Sequence, residues 1–149
     1  MTGGPLFVAA PPLMAEPSHP FLICRSDDFP ELRRRAEREP WNGMKADAIA
    51  RAEAGPGSAL AWILDEGNAA DHAERVRRAI TEDLAAVDFN PADKWRGTVP
   101  PMGAAFTAIL ALDVVHDALT DEQVHACEAT IERQIAKIDR RGSWLAARL

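Results

Sequence analysis

Three observations predict an all-α fold for this chain. Apolar residues recur at helical spacing along most of its length. The breaks between those runs carry helix caps or Pro/Gly punctuation. No segment keeps the apolar–polar alternation of a half-buried strand. The 149 residues are 47% hydrophobic and 27% charged, which is enough for one globular domain with its own core. Consecutive helices with short connections pack as antiparallel hairpins, so a helix–turn–helix series is expected.

The leader stands apart from this pattern. It contains "PLFVAAPPLMA", in which Pro11 and Pro12 interrupt the apolar run, and no basic segment precedes it. Residues 1–18 therefore read as a flexible arm and not as a signal peptide, with the helical domain at 19–149. The first helix is expected after Ser26-Asp27-Asp28. Asp28 and Glu31 have capping-box spacing, and Pro30 suits a first turn. Leu32 and Ala36 give that helix a thin apolar stripe, while Arg33, Arg34, Arg35 and Arg38 form a solvated face. A second helix, Pro40 to Ala54, places Trp41, Met44, Ala48 and Ala52 on one side, and "GPGS" ends it.

The short "ALAWILDE" helix closes at Gly67-Asn68. From Ala70 to Val87, Ala73, Val76, Ile80, Leu84 and Val87 recur at helical spacing. After the irregular "DFNPADKWRGTVPPMG", the segment from Ala104 to Leu119 is apolar enough to be buried against several neighbours. Thr120 and Gln123 form a second capping box for a last helix, whose inner face is Val124, Cys127, Ile131, Ile135 and Ile138 and which "DRRGSW" ends.

Composition narrows the function classes. A net charge of −6 lacks the basic footprint of sequence-independent nucleic-acid binding. No run of about 18 apolar residues is present, so no membrane span is expected. Cys24 and Cys127 have no partners at zinc-ligand spacing and read as buried free thiols, and nothing implies a metal or cofactor.

The order of certain motifs resembles the amino-terminal helical region of the heparinase II/III-like and alginate-lyase-like polysaccharide lyases. The motifs are His19-Pro20-Phe21-Leu22, then Leu32-Arg33-Arg34-Arg35, then Pro40-Trp41. A helix pair over Ala59 to Leu84 follows, and then a buried helix carrying Asp113 and running into "LTDEQ", Leu119 to Gln123. The resemblance spans about His19 to Ile138. It implies an incomplete α/α toroid of helix hairpins, followed in the family by β-sandwich domains. The implied chemistry is β-elimination of uronic-acid polysaccharides, in proteins that are often periplasmic or secreted. The implied partners are an acidic polysaccharide or oligosaccharide and missing C-terminal domains or a second copy. The chain departs from the family in length, in having Val114, Val115 and His116 after Asp113, and in containing no tyrosine.

β-Elimination needs a base, an acid and a group that neutralises the substrate carboxylate. In the lyases the chain resembles, Tyr, His, Asn and Arg do this from later segments, so no catalytic residue is carried over. The expected substrate-binding residues are Trp95, Arg96, Asp113 and His116. In "KWRG", Trp95 offers a stacking face and Arg96 a carboxylate-binding fork, or else Trp95 plugs the end of the bundle. Asp113 and His116, spaced i, i+3, form a base with its orienter, or His116 ends the helix beside a carboxylate. His72 and His125 read as solvated or unfavourably placed, and His19 as a packing or capping residue. Trp41, Trp62 and Trp144 read as core. The competing class is a non-catalytic helical module for protein interaction or self-association.

Overall fold

The computed structural model describes residues 18–52, 57–87 and 99–146, and the side chains of 18–52, 57–87 and 103–137. The described residues are all-α and contain no strand. Six α-helices follow one another: α1 (Phe29–Ala36), α2 (Trp41–Arg51), α3 (Ser58–Leu64), α4 (Ala69–Arg78), α5 (Val99–Val115) and α6 (Asp121–Ala146). Short 3-10 turns precede α1, α4 and α6, and α4 continues into a π-helical stretch, Ala79–Leu84. No helix among the described residues is long and apolar enough to cross a membrane.

The core forms where α3, α4, the π stretch, α5 and α6 converge. Ile63, Val76, Ile80, Leu112, Val115, Cys127 and Ile131 are buried together, with Phe29 reaching in from α1. Of the predicted stripe, Ala73, Val76, Ile80 and Leu84 are buried and Val87 is partly buried against the core. Trp62 packs against this core and meets Phe29 edge-on, 5.6 Å between ring centres. Arg33 is not part of a purely solvated face. Its Nε donates to the Ile63 carbonyl at 2.7 Å and its guanidinium pairs with Glu66 at 2.6 Å, tying α1 to the end of α3.

Of the two expected capping boxes, one forms. The Gln123 N–H donates to Thr120 Oγ1 at 3.3 Å, and the Thr120 N–H donates to Gln123 Oε1 at 2.9 Å. Thr120→Ala is expected to cost about 1 kcal/mol in thermal unfolding; an unchanged melting curve would show that the cap contributes nothing. The Asp28–Glu31 box does not form. Asp28 instead accepts from the Arg25 N–H at 2.8 Å and closes the preceding 3-10 turn. Glu31 is claimed by Arg34 and Arg35, whose hydrogen bonds hold its carboxyl below the usual range.

Three other expectations are corrected. Trp41 and Met44 lie on an exposed face of α2, Met44 at 60% exposure, while Ala52 alone of that stripe is fully buried. Ile135 is 43% exposed, and Gln134 turns inward in its place. The last helix runs through "DRRGSW" to Ala146. Residues 1–17, the Gly55-Pro56 break and the side chains of Ile138 and Trp144 lie outside the described residues.

Candidate functional site

The site is organised by a buried carboxylate. Asp113 sits near the C-terminal end of α5 at 4% exposure, among neighbours chosen for apolarity. A carboxylate there is tolerable only with donors aimed at it. They come from the extended segment that precedes α1. His19 Nδ1 bonds Asp113 Oδ1 at 2.7 Å. The Phe21 N–H donates to Oδ2 at 3.1 Å and the Leu22 N–H to Oδ2 at 2.9 Å. One side chain therefore fastens a segment more than 90 residues away in sequence.

The bond to a carboxylate places a proton on His19 Nδ1 and leaves Nε2 as the open nitrogen in the neutral ring. The ring is held from its other face by His116, stacked at 3.7 Å between centres with 17° between planes. His116 Nδ1 in turn bonds Asp117 at 2.9 Å. The expected Asp113–His116 partnership is thus replaced by an Asp113–His19 bond, with His116 as the stacking neighbour. This happens because Asp113 is inward while His116 begins a 3-10 turn at the rim.

Beside this arrangement lies a cavity of about 360 Å³, in the size range of small-molecule sites. Its walls include Phe21, Leu22, Leu112 and Ile131, and its polar lining is His19, Asp113, His116, Glu128 and Glu132. Asp113 and His116, both expected, line it together. His19, expected as a packing or capping residue, lines it as well; the signal in the sequence is its place beside Pro20 in the motif that opens the domain. Trp95 and Arg96 lie outside the described residues. No group of three or more ligating side chains suited to a metal occurs among the described residues.

Two further features carry chemistry outside this cavity. His72 is buried at 2% exposure and not solvated as expected, because it sits four residues before Val76 on the same helix face. Its Nε2 bonds Asp65 Oδ2 at 2.9 Å, and Asn68 Nδ2 donates to the same oxygen at 3.0 Å. These bonds, His72 first, hold the Asp65 carboxyl below its ordinary value. A carboxyl depressed in the folded state stabilises it above the unfolded value, about 3.9, and that contribution fades as pH falls through the folded value. The urea midpoints of the wild type and Asp65→Asn are expected to differ at pH 6 and to converge in acid. A gap that persists undiminished at pH 2 would refute the linkage.

The thiols of Cys24 and Cys127 are both free. Burial pushes each up from its ordinary value, reinforced at Cys24 by Asp28 and Asp113, so neither is a poised nucleophile. A second, more apolar hollow of about 560 Å³ lies against α1, α2 and α3, where Trp41, Met44 and Leu60 are exposed.

No family model matches the chain, and comparison with curated proteins and with solved structures yields no match.

Proposed function

We propose that the chain is the front portion of a polysaccharide lyase-like protein, an incomplete α/α toroid of helix hairpins whose His19–Asp113 cavity contributes to a carbohydrate cleft. The observation that carries this is the meeting of two motifs on which the resemblance rests. His19-Pro20-Phe21-Leu22 and Asp113 are bound to each other directly, through the imidazole and two backbone N–H groups. In this proposal the sequence order of the motifs is the linear trace of one structural joint. Trp95 and Arg96, which lie outside the described residues, would supply the stacking face and the cation for a uronate at a further part of the cleft, since no lysine or arginine is among the described residues that line the cavity.

The catalytic set is absent in this proposal: the chain holds no tyrosine. The deciding experiment incubates the purified chain with alginate and heparan oligosaccharides, following bound ligand by calorimetry and unsaturated uronate by ultraviolet absorbance. Saturable binding without product is expected. Strong turnover would contradict the missing catalytic set, and no binding to either oligosaccharide would remove the cleft.

One observation favours a second function, self-association or docking of another protein. Trp41, Met44 and Leu60 are exposed around one apolar hollow, which is unusual for side chains of this size on a solvated face. Light scattering coupled to size exclusion discriminates. A concentration-dependent dimer lost in Met44→Glu supports the interface, and a monomer at all concentrations removes self-association.

A further inference from the structure

The charge of the His19 cavity specifies its ligand more narrowly than the carbohydrate proposal on which this inference rests. We infer that the cavity takes the hydroxyl groups of an uncharged sugar or polyol, with His19 Nε2 and the carboxylates of Glu128 and Glu132 as acceptors. Asp113 is the positioning residue. Its oxygens are engaged by His19, Phe21 and Leu22, so it holds the imidazole and does not meet the ligand.

Three observations converge on this ligand class. First, among the described residues the ionisable lining is carboxylate and imidazole, with no lysine or arginine. A uronate carboxylate placed against this wall would face Glu128 and Glu132 with no lysine or arginine among the described lining residues to offset them, and like charges brought together without compensation are rejected. Second, the open groups are acceptors. Among the described residues no partner holds His19 Nε2, and Glu132 is exposed at the rim; Glu128 accepts from His125 at 3.2 Å and keeps its remaining lone pairs. Sugar hydroxyls are the matching donors. Third, the remaining walls are apolar, with the Phe21 ring exposed and 5.0 Å from the His19 ring. Such a surface suits the C–H face of a pyranose.

The test uses the full chain, with cellobiose and digalacturonate as probes and the imidazole nitrogen signals in NMR as the readout. Cellobiose is expected to shift the His19 Nε2 signal saturably. The double change Glu128→Gln with Glu132→Gln, on side chains outside the core, is expected to weaken that binding about tenfold, and His19→Gln, followed by calorimetry because the variant lacks the reporting imidazole, about five- to tenfold. No saturable shift, or affinity indifferent to both variants, overturns the inference. Digalacturonate binding in preference to cellobiose, and more tightly in the double variant, also overturns it while leaving the uronate cleft standing. Cellobiose binding with no digalacturonate binding anywhere on the chain supports it and removes the uronate proposal.

Discussion

Asp113→Ala is expected to destabilise the fold by about 3 kcal/mol and to release the segment before α1. Hydrogen bonds to a charged acceptor are each worth about 1.5–3 kcal/mol, and Asp113 receives one from His19 and one each from Phe21 and Leu22. They do not simply add. Phe21 and Leu22 are exposed, so their freed N–H groups regain water once the segment lifts. The total is limited by the free energy that fastens this one segment. Two measurements separate the local from the global effect. The urea midpoint reports overall stability. Amide exchange at Phe21 and Leu22 is expected to rise to the rate of an unstructured chain, while Val115 and Ile131 slow-exchange only as far as the midpoint shift allows. Unchanged exchange at Phe21 and Leu22 would falsify the view that the carboxylate is the fastening. Asp113→Asn is the milder companion. It keeps one acceptor oxygen, which can serve both backbone N–H groups, but sets an NH2 donor against His19 Nδ1 in place of the second oxygen, so it is expected to fall between wild type and alanine.

The helices and most of the core were legible in the sequence because they depend on local periodicity. The spacing of Ala73, Val76, Ile80 and Leu84 needs no knowledge of the partner helix, and the Thr120–Gln123 cap is settled within four residues. The errors lie where a distant partner decides. Helical spacing from Ile131 permits either Gln134 or Ile135 as the next inward residue. Gln134 is chosen because its amide donates to the Leu84 carbonyl at 2.6 Å and the Ala85 carbonyl at 3.2 Å, at the end of the π stretch. A π-helical turn shifts the usual bonding pattern and leaves carbonyls in need of donors. Nothing in the sequence around Gln134 announces that stretch, which lies about 50 residues earlier.

The cavity shows the same division. Asp113 and His116 were expected together from their i, i+3 spacing, and both line it. The bond that organises it is between His19 and Asp113, across 94 positions. Pairings of that range follow from the tertiary fold and not from a local pattern. His72 departs from its local pattern for a different reason. A polar residue in a charged first turn reads as solvated, yet the register of Val76 had already placed it on the buried face, with Asp65 waiting as its partner.

Ile80→Ala is the substitution expected to cost most within the core, about 3–4 kcal/mol. Ile80 is 1% exposed and lies in the π stretch, which packs against both α5 and α6. Truncation removes apolar surface and leaves a void between three elements that cannot all move in to fill it. Collapse onto the void is further opposed by Gln134, which fixes the C-terminal end of the stretch by its bonds to Leu84 and Ala85. Ile135→Ala is the matched control, because the same side chain is removed from a position that is 43% exposed; its expected cost is under about 1 kcal/mol. Urea unfolding of the two variants therefore measures the register of α6 as well as the core. A large loss from Ile135→Ala with a small one from Ile80→Ala would mean that α6 presents its isoleucine ladder inward, as periodicity alone suggests, and that Gln134 does not reach the π stretch. The reverse ranking supports a helix rotated to satisfy two backbone carbonyls at the expense of one exposed isoleucine.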